Sequence, residues 1–311
     1  VTTPEWAPER VVGPELAARV IAEQFPDLAD LPVRAFDAGW DNAVLAVGDD
    51  WLFRFVHREI ALRGARQEVA VLRHLADRFA VPIPFPERLG TPTPEVPWPF
   101  WGTRPLPGVE LARAALPDAD RAAVARAVGA LLRELHDPAL ARETVAALAT
   151  DGLTLLTDPN RRSEPAVMAE RGRGQLDAIT ALGVPVPPAA RTLLAEAEHL
   201  PPADPAGAVL VHGDLHVRHL LVHDGRASGV IDWGDTALAD PCVDLMIAFS
   251  AFDGAARRAF VQAYGAVPPD RELRARAAAI RVSASLARSC LVEGQDVVAA
   301  EALAAIGRAT R

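Results

Sequence analysis

A chain of 311 residues, half of them apolar, can bury one large core or two ordinary ones, and two lobes with a cleft between them are the expectation. A net charge of −9 without any basic block excludes the clustered positive surface that nucleic acid requires. All 32 basic side chains are arginine, which excludes Walker-type P-loops, pyridoxal phosphate chemistry and Schiff-base aldolases, because each needs a lysine. Two cysteines, Cys242 and Cys290, lie in apolar helical surroundings without CxxC spacing, so neither a disulfide framework nor a structural zinc site is expected. With no secretory start and no long apolar run, the expectation is a cytoplasmic chain with no membrane contact and no obligate protein partner.

Helical spacing over Pro14 to Gln24 predicts a helix, followed by a linker bounded by Pro26 and Pro32. Three β-type runs follow, Val33–Ala38, Ala43–Val47 and Trp51–Val56, separated by Gly39-Trp40-Asp41-Asn42 and Gly48-Asp49-Asp50, which predicts an antiparallel meander. From Glu59 to Arg78 apolar residues recur every three or four positions, and Glu68 lies within that stripe, where a carboxylate needs a partner. Val81 to Pro99 reads as irregular or edge strand, and Phe100 to Leu106 as a strand ending at a Pro107-Gly108 hinge. Helices are then expected at Asp120–His136, Glu164–Leu182, Pro188–Leu200, Cys242–Ala251, Gly254–Tyr264, Glu272–Val292 and Asp296–Arg308. This is an α+β chain with a small sheet lobe over residues 1–106 and a larger, mostly helical lobe over 107–311.

The most informative stretch is Val209 to Met246. Asp214 follows Val209-Leu210-Val211 and His212-Gly213, where a buried strand opens into a loop, a place suited to a general base for a hydroxyl. Asp232 closes Gly229-Val230-Ile231 after the turn His223-Asp224-Gly225, where a carboxylate can hold Mg²⁺ among nucleotide phosphates. The alternatives are a turn aspartate and an ordinary strand-end aspartate. Asp235 is a candidate for assisting or binding substrate, whereas Asp240 is expected in solvent.

His212, His216, His219 and His223 crowd the same segment. A zinc site is not the preferred reading, because their spacing suits a helix and the surrounding sequence does not. His219 is the candidate metal ligand, His212 a buttress and His223 a turn residue. Arg54, between Phe53 and Phe55, points away from both aromatics, so it can pair with Glu68 and hold nucleotide phosphates.

These residues resemble the aminoglycoside and macrolide phosphotransferases, antibiotic kinases with a protein-kinase-like, bilobal fold. The resemblance rests on the Gly39–Asn42 loop, Trp51-Leu52-Phe53-Arg54-Phe55, Glu68, Leu106-Pro107-Gly108, Leu132–His136, HGDLHVRHLL, and GVIDWGD with the following DPCVDL. It implies Asp214 as catalytic base, Asp232 as magnesium ligand, and Asp244 as a brace for the catalytic loop. It also implies backbone groups near Arg104 and Leu106 on the nucleotide base. Arg54 stands where the family's strand lysine is usual, and His219 where a metal-binding asparagine is usual. Both departures are similar to macrolide 2′-phosphotransferases. The expected activity is therefore transfer of the γ-phosphoryl of ATP or GTP, with Mg²⁺, to a macrolide 2′-hydroxyl; an aminoglycoside or other hydroxyl metabolite, or a kinase-like binding protein, is the alternative.

Overall fold

Trp51 to Val56 alternates large apolar side chains with Leu52 and Arg54, the pattern of a strand buried on one face. In the computed structural model, which describes residues 9–38 and 42–311, this segment is the middle of a five-stranded antiparallel sheet. The strands are β1 (Val33–Ala38), β2 (Asn42–Val47), β3 (Trp51–Val56), β4 (Arg88–Gly90) and β5 (Phe100–Thr103), in the order β1-β2-β3-β5-β4. Phe53, Phe55 and Phe100 pack with Val20 and Ile21 of helix α1 (Pro14–Gln24) on one face. Each such buried ring contributes about 2–3 kcal/mol. On another cluster Val56 and Trp101 meet Ala65 of helix α2 (Leu62–His74). Helix α2 starts after a 3₁₀ turn at Glu59–Ala61 and stops at His74, short of the expected Arg78, and Asp77 turns the chain with φ 59°.

The chain divides into two compact units. The first takes in residues up to Ala76 together with Ile83–Leu106, and the second Asp77–Pro82 and Pro107–Arg311. The second unit carries β6 (Val109–Glu110), α3 (Ala122–Leu135), α4 (Pro138–Thr150), α5 (Pro165–Ala181), α6 (Pro188–Glu198) and β7 (Val209–Val211). After them come β8 (Leu220–His223), β9 (Arg226–Val230), β10 (Ala237–Ala239), α7 (Cys242–Ser250), α8 (Gly254–Tyr264), α9 (Pro269–Glu293) and α10 (Asp296–Ala309). Strands β8 and β9 form the hairpin anticipated around Asp224-Gly225, with β6 on its edge, whereas β7 pairs separately with β10.

Two further features depart from the sequence reading. Helix α4 is one; its start is nevertheless encoded, since the Asp137 carboxylate accepts from the Ala139 amide at 2.7 Å and Pro138 opens the first turn. The other is Asp240, which is buried rather than solvated. Its carboxylate caps α7 through the Cys242 amide at 2.8 Å and pairs with Arg271 at 3.1 Å. Among the described residues, no helix is long and apolar enough to cross a membrane.

Helix α3 buries Val124, Val128, Leu131 and Leu135, and Gly129 lies in the same buried surface. A Cβ on Gly129 would stand 2.6 Å from the backbone oxygen of Phe260 in α8. Gly129→Ala should therefore destabilise by about 1–3 kcal/mol despite alanine's better helix propensity. Gly174→Ala, on the exposed side of α5 with open space around it, should stabilise by up to about 1 kcal/mol. Urea unfolding of both variants checks the pair, and a shared sign would contradict this account of the α3–α8 contact.

Candidate active site

The turn after β7 is held by a single buried carboxylate. Asp244, in the first turn of α7, accepts from the amides of His212 at 2.7 Å and Gly213 at 2.9 Å, and from His136 Nε2 at 3.2 Å. The carboxylate can only accept, so His136 Nε2 carries a proton, and the other ring nitrogen, Nδ1, lies 2.9 Å from the Tyr264 hydroxyl. Burial by itself would raise the Asp244 pKa, but the His136 hydrogen bond and charge and the Gly213 amide outweigh it and hold the carboxyl below its ordinary range. Gly213 has φ +92°, and a Cβ there would meet the Asp235 carbonyl oxygen at 2.1 Å, so the turn requires glycine. The buried His212 ring accepts from the Asp214 amide at 3.2 Å and donates through Nε2 to the Ile231 carbonyl at 3.0 Å, tying the two acid-bearing loops together. Burial lowers the His212 pKa and keeps the ring neutral.

This frame presents the Asp214 carboxylate to Arg162 Nη2 at 3.4 Å and to His216 Nε2 at 3.6 Å. Burial raises its pKa, and the charges of Arg162 and His219 only partly offset that rise. Arg162 was not singled out by sequence and has no periodic signal. It stands in the loop before α5, where Asp158 accepts from the Arg162 amide at 2.6 Å, and it reaches the Gly213 carbonyl and Asp235 Oδ2, the latter at 2.8 Å. Asn160 Nδ2 donates to Asp235 Oδ1 at 3.4 Å, so both Asp235 oxygens are engaged within the protein. The only sequence trace of this loop is Thr157-Asp158-Pro159-Asn160, a turn-forming run.

His219 is placed between the two acids. Its Nδ1 lies 2.8 Å from the Asp214 carbonyl, which can only accept, so Nδ1 carries the proton. The lone pair of Nε2 then faces Asp232 Oδ2 at 3.3 Å, an arrangement that requires a cation between them, a proton or a metal ion. Asp232 holds φ +67°, a left-handed conformation that aspartate tolerates better than most residues. The fully buried Trp233 ring anchors it, with its indole N–H on the Val230 carbonyl at 2.9 Å and the His212 ring tilted against it at 4.8 Å between centroids. Asp232 and His219 together fit a divalent cation, with one hard and one softer donor.

A zinc cage is a different matter. The ligand atoms of Asp214, His216 and His219 lie within 4.8 Å of one another. However, His216 Nδ1 accepts from the Arg218 amide at 3.2 Å, which puts its proton on Nε2 and leaves that nitrogen no lone pair for a metal. His223 lies exposed beside Asp224 at the hairpin turn, as expected.

In the first unit, Arg54 Nη1 pairs with the buried Glu68 Oε1 at 3.4 Å. Asn42 Oδ1 is buried without a hydrogen-bond partner among the described residues, and Gly39 lies outside the described residues. The Arg104 guanidinium covers the Trp51 ring at 3.9 Å, beside Glu87 at 3.6 Å. Leu106 closes this unit.

Residues 32–279 match the model of the phosphotransferase enzyme family. The chain belongs to this family. Its fold is protein-kinase-like, similar to the GDP complex of wild-type aminoglycoside 2′-phosphotransferase-IIIa, with a TM-score of 0.66 and 22% identity over 96% of this chain and 99% of the other. It is also similar to macrolide 2′-phosphotransferase MphH from Brachybacterium faecium, with a TM-score of 0.58 and 26% identity over 94% and 97% of the two chains. One curated relative, the uncharacterized protein YcbJ of Bacillus subtilis (strain 168), is 41% identical over 44 residues; the match spans 14% of this chain and 14% of the relative.

Replacing Asp244 by Asn should destabilise the fold by about 3–5 kcal/mol near neutral pH, since the amide nitrogen of the variant would face donors. The folded-state pKa of Asp244 is depressed, so the stabilisation is full above the unfolded pKa and lost as pH falls through the folded value. The gap between wild type and variant in urea midpoints should accordingly narrow on acidification; a constant gap would deny the charge its role.

Proposed function

We propose that this phosphotransferase moves the γ-phosphoryl of ATP or GTP directly onto the hydroxyl of a small molecule, with Asp214 as proton acceptor. The observation that carries this reading is the Asp214 carboxylate held beside Arg162 on the braced turn, with His219 linking that turn to Asp232. The bridging P–O bond of the nucleotide breaks as the acceptor oxygen bonds to phosphorus, the nucleoside diphosphate leaves, and the hydroxyl proton passes to Asp214. Burial raises the Asp214 pKa and the Arg162 charge opposes that rise; the grip of Arg162 on the Gly213 carbonyl fixes the carboxylate's position. Asp232 and His219 would hold Mg²⁺, which neutralises phosphate charge and orients the transferred group.

Residues 1–106 take the nucleotide in this proposal. Arg54, oriented by Glu68, grips the phosphates; Asn42, at the start of β2, and Gly39 are further nucleotide-binding residues, and backbone groups near Arg104 and Leu106 hold the base. Residues 107–311 take the acceptor, with Asp235 acting through Arg162. His219, Arg54 and the similarity to the Brachybacterium enzyme support a macrolide 2′-hydroxyl as one acceptor to assay, and the aminoglycoside neighbour supports a second. A kinase-like protein that only binds its ligand would not need both acids.

A coupled nucleotide-consumption assay with Mg²⁺, run with ATP and GTP against hydroxyl acceptors, tests the reading. Asp214→Asn should lower kcat by about 10²–10⁴-fold with little change in nucleotide affinity; near-normal turnover would remove Asp214 from its role. Arg162→Gln takes away a charge that lowers the Asp214 pKa, so the acid limb of kcat/KM should move to higher pH. A limb that stays or moves down would show that Arg162 does not tune the base.

A further inference from the structure

Leu215 and Val217 are buried and alternate with Asp214 and His216, so the two polar side chains leave the loop on the same side. His216 is held there in three ways. Its Nδ1 accepts from the Arg218 amide at 3.2 Å, its carbonyl accepts from the His219 amide at 2.9 Å, and its ring stacks on His219 with centroids 3.9 Å apart. A ring nitrogen that accepts carries no proton, so the ring is neutral and its one N–H is on Nε2. Burial, which pushes the pKa of this ring down, favours the same state.

That N–H points at the proposed base without bonding to it. Nε2 lies 3.6 Å from Asp214 Oδ2, beyond hydrogen-bonding distance. A ligand can reach both groups, since the His216 side chain is 14% exposed and that of Asp214 24%. The two oxygens of Asp214 stand in different surroundings. Oδ1 faces the Arg162 guanidinium at 3.4 Å, a cation that can only donate, whereas Oδ2 faces the neutral His216 N–H. A proton arriving at Oδ1 would meet positive charge, so Oδ2 is its receiver. Two polar atoms 3.6 Å apart can share one oxygen between them, because each hydrogen bond needs only about 2.7–3.0 Å. A hydroxyl suits that place. It donates one hydrogen and accepts at two lone pairs, so donating to Oδ2 and accepting from His216 leaves one lone pair for phosphorus.

We propose that His216 Nε2–H binds the oxygen of the acceptor hydroxyl and holds it against Asp214 Oδ2. The proposal rests on the phosphotransferase reading and names the side chain that orients its acceptor. In the transfer step the O–H bond breaks and its proton goes to Oδ2. The remaining lone pair of the oxygen forms the bond to phosphorus, and the bridging P–O bond breaks with its electrons leaving on the nucleoside diphosphate.

Two substitutions in the full chain separate this role from that of a turn cap. His216→Asn puts a carbonyl oxygen where Nδ1 stands, three bonds from Cα, so it can keep the bond from the Arg218 amide but has no N–H at the Nε2 position. His216→Gln reaches the Nε2 position, four bonds from Cα, with an N–H and gives up the Nδ1 acceptor. Urea midpoints establish that both variants fold before rates are compared. Hydrolysis of ATP and GTP with Mg²⁺ uses water as the acceptor and needs no knowledge of the natural one; transfer to a macrolide and to kanamycin is measured beside it. In every reaction that the wild type performs, His216→Asn should lower kcat/KM for the acceptor, or the hydrolysis rate, by about tenfold or more. His216→Gln should keep most of the activity, and the KM for nucleotide should be unchanged in both. A purely capping role gives the opposite order, with His216→Asn active and His216→Gln impaired. That order, equal rates in all three proteins, or equal loss in both variants would overturn the proposal while leaving the kinase reading intact. A wild-type protein that transfers phosphoryl to no acceptor, water included, would defeat the kinase reading itself.

Discussion

The Asp244 carboxylate is the constraint from which the catalytic geometry follows. A charge with no access to water needs donors on both oxygens, and here two backbone amides and one imidazole supply them. Because the amides belong to His212 and Gly213, satisfying Asp244 fixes the turn that carries Asp214. Because the imidazole is His136, at the end of α3 and oriented by Tyr264 of α8, the turn is referenced to the helical body rather than to neighbouring loop residues. The position of Asp214, the proposed proton acceptor, is thus set by packing in the helical body.

The chain's exclusive use of arginine shapes both its interior and its site. Arg121 and Arg308 are buried against Glu301 at 2.7 and 2.9 Å, and their remaining donors reach carbonyls such as those of Leu116, Ala251 and Ser250. That cluster, which lines a cavity of about 390 Å³ with Leu111 and Val297, satisfies itself and asks for no ligand. The same side chain near Asp214 behaves otherwise. Arg162 spends its guanidinium on the Gly213 carbonyl and Asp235, which ties the loop before α5 to the turn that carries Asp214.

His219 extends this logic to the second acid. Its Nδ1–H is committed to the Asp214 carbonyl, so only Nε2 is left to face Asp232. The tautomer is decided by a backbone oxygen, and the chemistry offered to a cation follows from it. His216, stacked on His219 with ring centroids 3.9 Å apart, has the opposite tautomer and is withdrawn from metal binding by the Arg218 amide. Four histidines in one segment therefore do four different things, and count or spacing alone would not separate them.

Local pattern was enough for much of this protein. The alternation of Trp51 to Val56 set the buried face of its sheet and turned Arg54 toward Glu68, and the apolar runs ending at His212-Gly213 and at Ile231 marked both acid loops. These features are legible because period-two and period-3.6 patterns and turn residues act over a few positions. Long-range pairing is not written that way. Asp240 looked like a loop acid until Arg271, from α9, came to it. Arg162 lies 52 residues from Asp214 along the chain, and no local signal distinguishes it from the other arginines. The sequence by itself determined which segments carry the chemistry; only tertiary structure decided which charges meet, because a charge's partner, burial and proton are properties of the space around it rather than of its neighbours in the chain.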